Sequence, residues 1–315
     1  MNRASISRYA PDHGLSVRMG LTVGLLASVF LAVVVGLIWV GFPWRLVLGV
    51  ATSVLFLQWV LADELVLTAT GARVVTAEES PVLHGYIDRL CATANLAKPR
   101  IAIQQADFPN AFAAGVRRDH TMVCFSTGLL ECLTPEEFEA VAAHELSHLA
   151  HRDALVMTLS SSGSVISGFL MKLSAVTAVG SAAAASVASE GRTRADKDSE
   201  GVALAFFLFA VSVLVVSSVV YAVTTVMLLA LSRYRELAAD RAAVLLTGNP
   251  HALASALTRI SDGASAIPVD DLRAARGMSA LSFTPAISPE SSWGWLLSTH
   301  PTLQQRLDNI YAAAR

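Results

Sequence analysis

The sequence predicts an α+β fold, mainly helical, with a small sheet and an anchor of up to four transmembrane helices. Three observations lead there. Only 15% of the 315 residues are charged and 54% are hydrophobic, against about 25% charged in a soluble globular chain. The apolar residues gather into four long stretches, as a bilayer requires. Outside those stretches, short alternating runs that suit strands lie among amphipathic runs that suit helices.

Residues 1–18 form an N-terminal tail. The first apolar stretch, from about Met19 to Phe42, is long enough to cross a hydrocarbon core of about 30 Å. A signal peptide would have a shorter apolar core and a small-residue cleavage site. Here Pro43, Trp44 and Arg45 follow instead, and apolar sequence resumes from Leu46 to Ala62. Residues 19–62 therefore predict a transmembrane hairpin, with Trp39, Trp44 and Trp59 near its ends, where amphipathic rings favour the interface.

Residues 63–154 predict the first part of a soluble domain. Glu78–Leu96 reads as an amphipathic helix, and Arg100–Gln105 and His120–Ser126 as strands. Asn110-Ala-Phe-Ala-Ala-Gly115 reads as an extended edge. Thr134, Pro135 and Glu137 supply a cap, a first-turn proline and a capping box, predicting a helix through His144 to about Arg152. Residues 155–231 predict a second apolar pair, about Leu155–Ala188 and Val202–Leu231. Lys172 lies in the first of these, at a cost of at least ~2.5–3.5 kcal/mol at a bilayer centre. Three solutions follow: Lys172 faces a protein interior, the helix sits off-centre, or the segment does not fully span. Ser189–Gly201 reads as an exposed linker. Residues 232–315 predict the second part of the soluble domain, with a helix from Arg233 to about Ser261, a long loop over Asp262–Ser298, and a short helix after Pro301.

The net charge of -2 and the absence of a Lys/Arg run exclude nucleic acid as the expected partner. Cys91, Cys124 and Cys132 make neither a disulfide framework nor a CxxC metal knuckle; reduced thiols are expected. Arg3, Arg8, Arg18, Arg152, Arg233 and Arg235 flank the spans. With four spans they fall on one side together with the soluble domain, which predicts a multi-pass protein of the cell (inner) membrane facing the cytoplasm. The basic linker at Arg192–Lys197 counts against this.

The chemistry centres on His144-Glu145-Leu146-Ser147-His148. Residues four apart share a helical face, so the two imidazoles can bind one zinc ion. Glu145 can then serve as general base toward water at the open coordination position. A hydrolytic site needs a third protein ligand. Ser232-Arg-Tyr-Arg-Glu236-Leu-Ala-Ala-Asp240 offers Glu236, with Asp240 on the same face to accept from the second ring nitrogen of a ligand histidine. His151 is the rival third ligand, but 144, 148 and 151 on one helix would crowd a tetrahedral site, and the metzincin spacing fails at residues 151 and 154.

Four blocks in order resemble the HtpX-type membrane metalloproteases, of the gluzincin family that also includes the CAAX prenyl proteases. They are Asn110–Gly115, His144–His148, Ser232–Asp240, and Thr299-His-Pro301 with Arg306. The resemblance covers nearly the whole chain, and the middle two blocks are the specific ones. It implies a gluzincin-type protease domain with one zinc on His144, His148 and Glu236, and Glu145 catalytic. It implies that Asn110, Ala111, Phe112 and Ala113 take the substrate backbone as an added strand, a mode that an exposed edge permits for any sequence; the same residues suit an ordinary sheet edge. His300 would either stabilise the oxyanion or organise the fold through Arg306. By the same resemblance the partners are polypeptides, damaged or misassembled membrane proteins among them, alongside the lipid bilayer, and the setting is stress response. Two alternatives stand beside this: a narrow-specificity prenyl-protein or peptide-processing protease, and a non-catalytic membrane scaffold, which would have no use for Glu145.

Overall fold

The computed structural model describes residues 13–39, 41, 43–115, 120–189, 194–265, 298 and 300–315. In chain order the elements are α1 (His13–Trp39), α2 (Trp44–Thr70), β1 (Arg73–Val74), α3 (Pro81–Ala94), β2 (Arg100–Gln104), β3 (Ala111–Ala114), β4 (Met122–Ser126), α4 (Thr127–Cys132), α5 (Pro135–Ala150), α6 (Asp153–Ser189), α7 (Arg194–Thr247), α8 (Pro250–Ser265) and α9 (Leu303–Ala313). The fold is mainly helical with one small sheet.

The chain divides into two compact units. One comprises Gly24–Thr52 and Ser160–Leu228; the other comprises Met1–Val23, Ser53–Leu159 and Leu229–Arg315.

The second of these carries the sheet, ordered β1-β2-β4-β3. β2 and β4 run parallel, and β1 and β3 are antiparallel to their neighbours. Alternation along β4 sends Val123 and Phe125 to one face and Met122 and Cys124 to the other, as a two-residue period dictates. The first face forms the core with α3, α5, α8 and α9, through Ile87, Leu90, Ile101, Phe138, Leu146, Leu253, Leu257 and Ile310. Phe125 and Phe138 meet edge to face, 5.0 Å between centroids. α5 starts with the expected capping box, Thr134 and Glu137 bonding each other's backbone. Glu137 also accepts from Ser255 and pairs with Arg259, tying the start of α5 to α8. Gly128 opens α4 where a Cβ would overlap the Asp107 carbonyl.

In the other unit, Val34, Val47 and Ala51 pack with Phe30 and Ile38. Hydroxyls of Ser28, Thr52, Ser174, Ser212 and Ser218 donate to carbonyls four residues back, which satisfies them without water. Leu31, Val35, Val176, Val179, Val215 and Val219 are exposed, an outward apolar surface that lipid would cover. Among the described residues, two helical stretches are long and apolar enough to cross a membrane, Val17–Gly36 and Phe207–Thr247, and Trp44–Leu57 and Leu170–Ala183 are shorter apolar ones. Lys172 is exposed, which removes the interior-facing solution offered for it.

Three expected boundaries move. α2 continues past Ala62 to Thr70. The linker shortens, since α7 already begins at Arg194. The helix expected over Arg233–Ser261 is two helices, because Gly248 takes φ +69 after α7 and Pro250 opens α8; glycine past a helix end and proline at the next start are the usual punctuation. Most of the loop expected over Asp262–Ser298 lies outside the described residues, and α8 accounts for its first four.

Candidate metal centre

α5 places His144 and His148 one turn apart, their Nε2 atoms 3.2 Å from each other. The last turns of α7 bring Glu236 to both, with Oε2 3.6 Å from His144 Nε2 and Oε1 3.5 Å from His148 Nε2. All three residues are buried, and their donor atoms fall within 4.8 Å of one another. Donors about 2.0–2.2 Å from a tetrahedral zinc stand about 3.3–3.6 Å apart. The His144–His148 separation is close to such an edge, and each imidazole has a Glu236 oxygen at that range, Oε2 for His144 and Oε1 for His148.

The other ring nitrogens explain why the Nε2 atoms face inward. His144 Nδ1 lies 3.0 Å from Asp240 Oδ1, and His148 Nδ1 lies 2.6 Å from Asp153 Oδ2. A carboxylate at Nδ1 places the proton there and leaves Nε2 as a lone pair. Two ring nitrogens 3.2 Å apart beside a carboxylate suit a shared cation. Burial works against the charge of the His144 imidazole, but Asp240 and Glu236 outweigh burial and raise its pKa to about 9. The donor set therefore fits a zinc ion, with two imidazoles and one carboxylate.

Arg306 completes the first support. Its Nη2 and Nε donate to Asp240 Oδ1 and Oδ2 at 2.6 and 2.9 Å, and it is only 2% exposed. Such a cation is tolerable in the interior because it is paired at both donors. A capping box at Thr302 and Gln305 starts α9 and sets Arg306 on its first turn. Upstream, Arg233 Nη1 donates to the Ser298 carbonyl at 2.9 Å, and His300 Nδ1 stands 3.2 Å from Glu236 Oε2.

Glu145 is buried beside the donors, and burial, opposed by the two histidines, raises its pKa. His151 caps the C-terminus of α5 and is not one of the three clustered donors. Asn110 exchanges backbone and side-chain hydrogen bonds with Ser126, and Ala111, Phe112 and Ala113 follow on β3, which stands at the edge of the sheet and packs against α5. Thus the structure brings together His144, Glu145, His148, Glu236, Asp240, His300 and Arg306. It adds Asp153 and Arg235, which the sequence reading did not single out. Arg235 Nε lies 2.9 Å from Asp153 Oδ2.

Comparison with known proteins agrees in kind. The profile of peptidase family M48 matches residues 77–314. The protein named Protease HtpX homolog 1 of Streptomyces coelicolor is 42% identical over 304 residues, 96% of this chain and 94% of that one. Protease HtpX homolog 2 of Methanosarcina mazei is 39% identical over 303 residues, 96% of each. Among solved structures, S. mikatae Ste24p matches 97% of this chain and 66% of its own at 14% identity, with a TM-score of 0.48, a likeness too loose to add to the sequence match. By its sequence match over three quarters of its length, the chain belongs to peptidase family M48 and is a membrane metalloprotease of the HtpX kind.

Proposed function

We propose that the chain is a zinc endopeptidase in which His144, His148 and Glu236 hold one zinc ion and Glu145 is the general base. The separation of the three donors, with an aspartate behind each imidazole, carries this reading. Bound there, zinc supplies Lewis acidity, making water a nucleophile at neutral pH and polarising the scissile carbonyl. Glu145 takes the proton of the attacking water and returns it to the leaving amine; its raised pKa suits an acid-base group better than an ordinary carboxylate would. Asp240 fixes the His144 ring. Asn110–Ala113, at the sheet edge beside α5, pairs with the backbone of an extended substrate.

His300 has two uses open to it, and its geometry favours one. His300 Nδ1 stands 3.2 Å from Glu236 Oε2, which places the ring beside the third ligand and favours a role in positioning it over one at the oxyanion.

The substrates in this reading are damaged or misfolded membrane proteins, removed under stress at the cytoplasmic face of the cell (inner) membrane. In this reading residues 1–18 are the tail, 19–62 and 155–231 supply up to four anchoring helices, and 63–154 with 232–315 the protease domain. The apolar outward surface and the scarcity of charge support the anchoring. The test is zinc content and casein turnover of detergent-purified wild type and Glu145→Gln. One zinc in both, with turnover in wild type alone, is expected. Equal turnover in Glu145→Gln removes the general base, and no turnover by either restores the scaffold. Preference for isoprenylated CAAX peptides over unfolded membrane proteins would replace quality control by prenyl-protein processing.

A further inference from the structure

Asp153 stands behind His148 as Asp240 stands behind His144; it is 1% exposed and sits against two groups of the site. Its Oδ2 lies 2.6 Å from His148 Nδ1 and 2.9 Å from Arg235 Nε. A break in the chain makes the contact. α5 ends at Ala150, Arg152 takes φ 56, and α6 begins at Asp153. Had α5 continued, a residue five places beyond His148 would have turned to a different face of the helix. The left-handed residue returns Asp153 to the ring. Arg235, in turn, is the neighbour of Glu236 in sequence.

We propose that Asp153 is the positioning residue of His148 and that Arg235 acts through it, so that one buried carboxylate links the second metal ligand to the segment carrying the third. This rests on the reading that His144, His148 and Glu236 hold zinc. Asp153 fixes the Nδ1–H tautomer, points Nε2 at the ion and raises its basicity. Arg235 supplies the charge that makes a buried carboxylate tolerable. The histidine, the aspartate and the arginine come from the end of α5, the start of α6 and the late part of α7, so the pair also fixes the register among the three.

The test uses full-length protein in detergent: wild type, Asp153→Asn, and the double variant Asp153→Asn/Arg235→Gln, which leaves no lone buried cation and is the fallback should the single variant not fold. Zinc affinity is measured by competition with a chromophoric chelator. The visible spectrum of the cobalt(II)-substituted protein reports ligand geometry, and thermal unfolding of the metal-free protein is the fold control. Asp153→Asn is expected to weaken zinc about 10–100-fold and to shift the cobalt bands. The double variant is expected to lose no more than Asp153→Asn, because Arg235 acts only through Asp153. Unchanged zinc affinity and cobalt spectrum, even with a lower unfolding temperature, would overturn the proposal and leave Asp153 structural. Failure of the wild type to bind zinc would overturn the metal reading itself.

Discussion

His144 and His148 are neighbours on one helix, and each gives its Nδ1 to an aspartate that an arginine holds: Asp240 with Arg306 for the first, Asp153 with Arg235 for the second. The first support is built from distant sequence. Asp240 comes from α7 and Arg306 from α9, 66 residues further on, gripping both carboxylate oxygens in a site where neither side chain is more than 2% exposed. The second is half local. Asp153 is five residues from its histidine, its Oδ1 takes no hydrogen bond among the described residues, and the Arg235 side chain is 12% exposed. The difference teaches where the site depends on the whole fold. Burial and two-point contact make the Asp240 support expensive to break, whereas partial solvent access softens the loss of the Asp153 support.

Removing each arginine breaks the comparison most directly. Arg306→Met leaves Asp240 charged in the interior, facing the His144 imidazole without its guanidinium, a change that costs about 3–5 kcal/mol, and α9 loses its tie to α7. Arg235→Met removes, from an aspartate that keeps His148, an ion-pair partner whose Nε makes no hydrogen bond among the described residues, a smaller loss of about 0.5–3 kcal/mol. Unfolding of the two metal-free variants, followed by the same probe in detergent, should rank them in that order. Equal losses would mean that exposure of Arg235 does not relieve Asp153, and the two supports would be equivalent.

The same contrast explains what could be read from sequence. His144, His148, Glu236 and Asp240 were legible because four-residue spacing is a property of the helix itself, and the capping box at Thr134 announced the helix. Asp153 was not, since its contact requires α5 to stop and Arg152 to adopt a conformation that arginine seldom takes. Arg235 carried no separate signal beside Glu236. The break at Gly248 did carry one, glycine followed closely by proline, but an amphipathic run on both sides concealed it. The strand order β1-β2-β4-β3 lay beyond sequence reasoning: strands of two to five residues hold too little pattern to choose partners, and the choice is made by the core beneath α5.

His300 offers a way to sharpen the comparison, since it would give the third ligand a support as well. His300→Ala is expected to weaken zinc about 10–100-fold, as loss of a group behind a metal ligand does, with kcat of the zinc-saturated enzyme reduced less. A fall in kcat of about 10²–10³ at unchanged zinc affinity would instead mark an oxyanion donor. Chelator competition and casein turnover on the same preparation distinguish the two outcomes.

The smallest effect concerns the turn that creates the second support. Arg152 holds φ 56 and its side chain is exposed, so the residue contributes its backbone conformation to the site. A left-handed non-glycine residue costs about 1–2 kcal/mol. Glycine removes that strain but restores about 0.4–1 kcal/mol of unfolded-chain entropy. Arg152→Gly should therefore stabilise by roughly 0.5 kcal/mol, with zinc affinity unchanged. If zinc affinity falls instead, the turn needs the arginine side chain, and Asp153 is placed by more than the backbone.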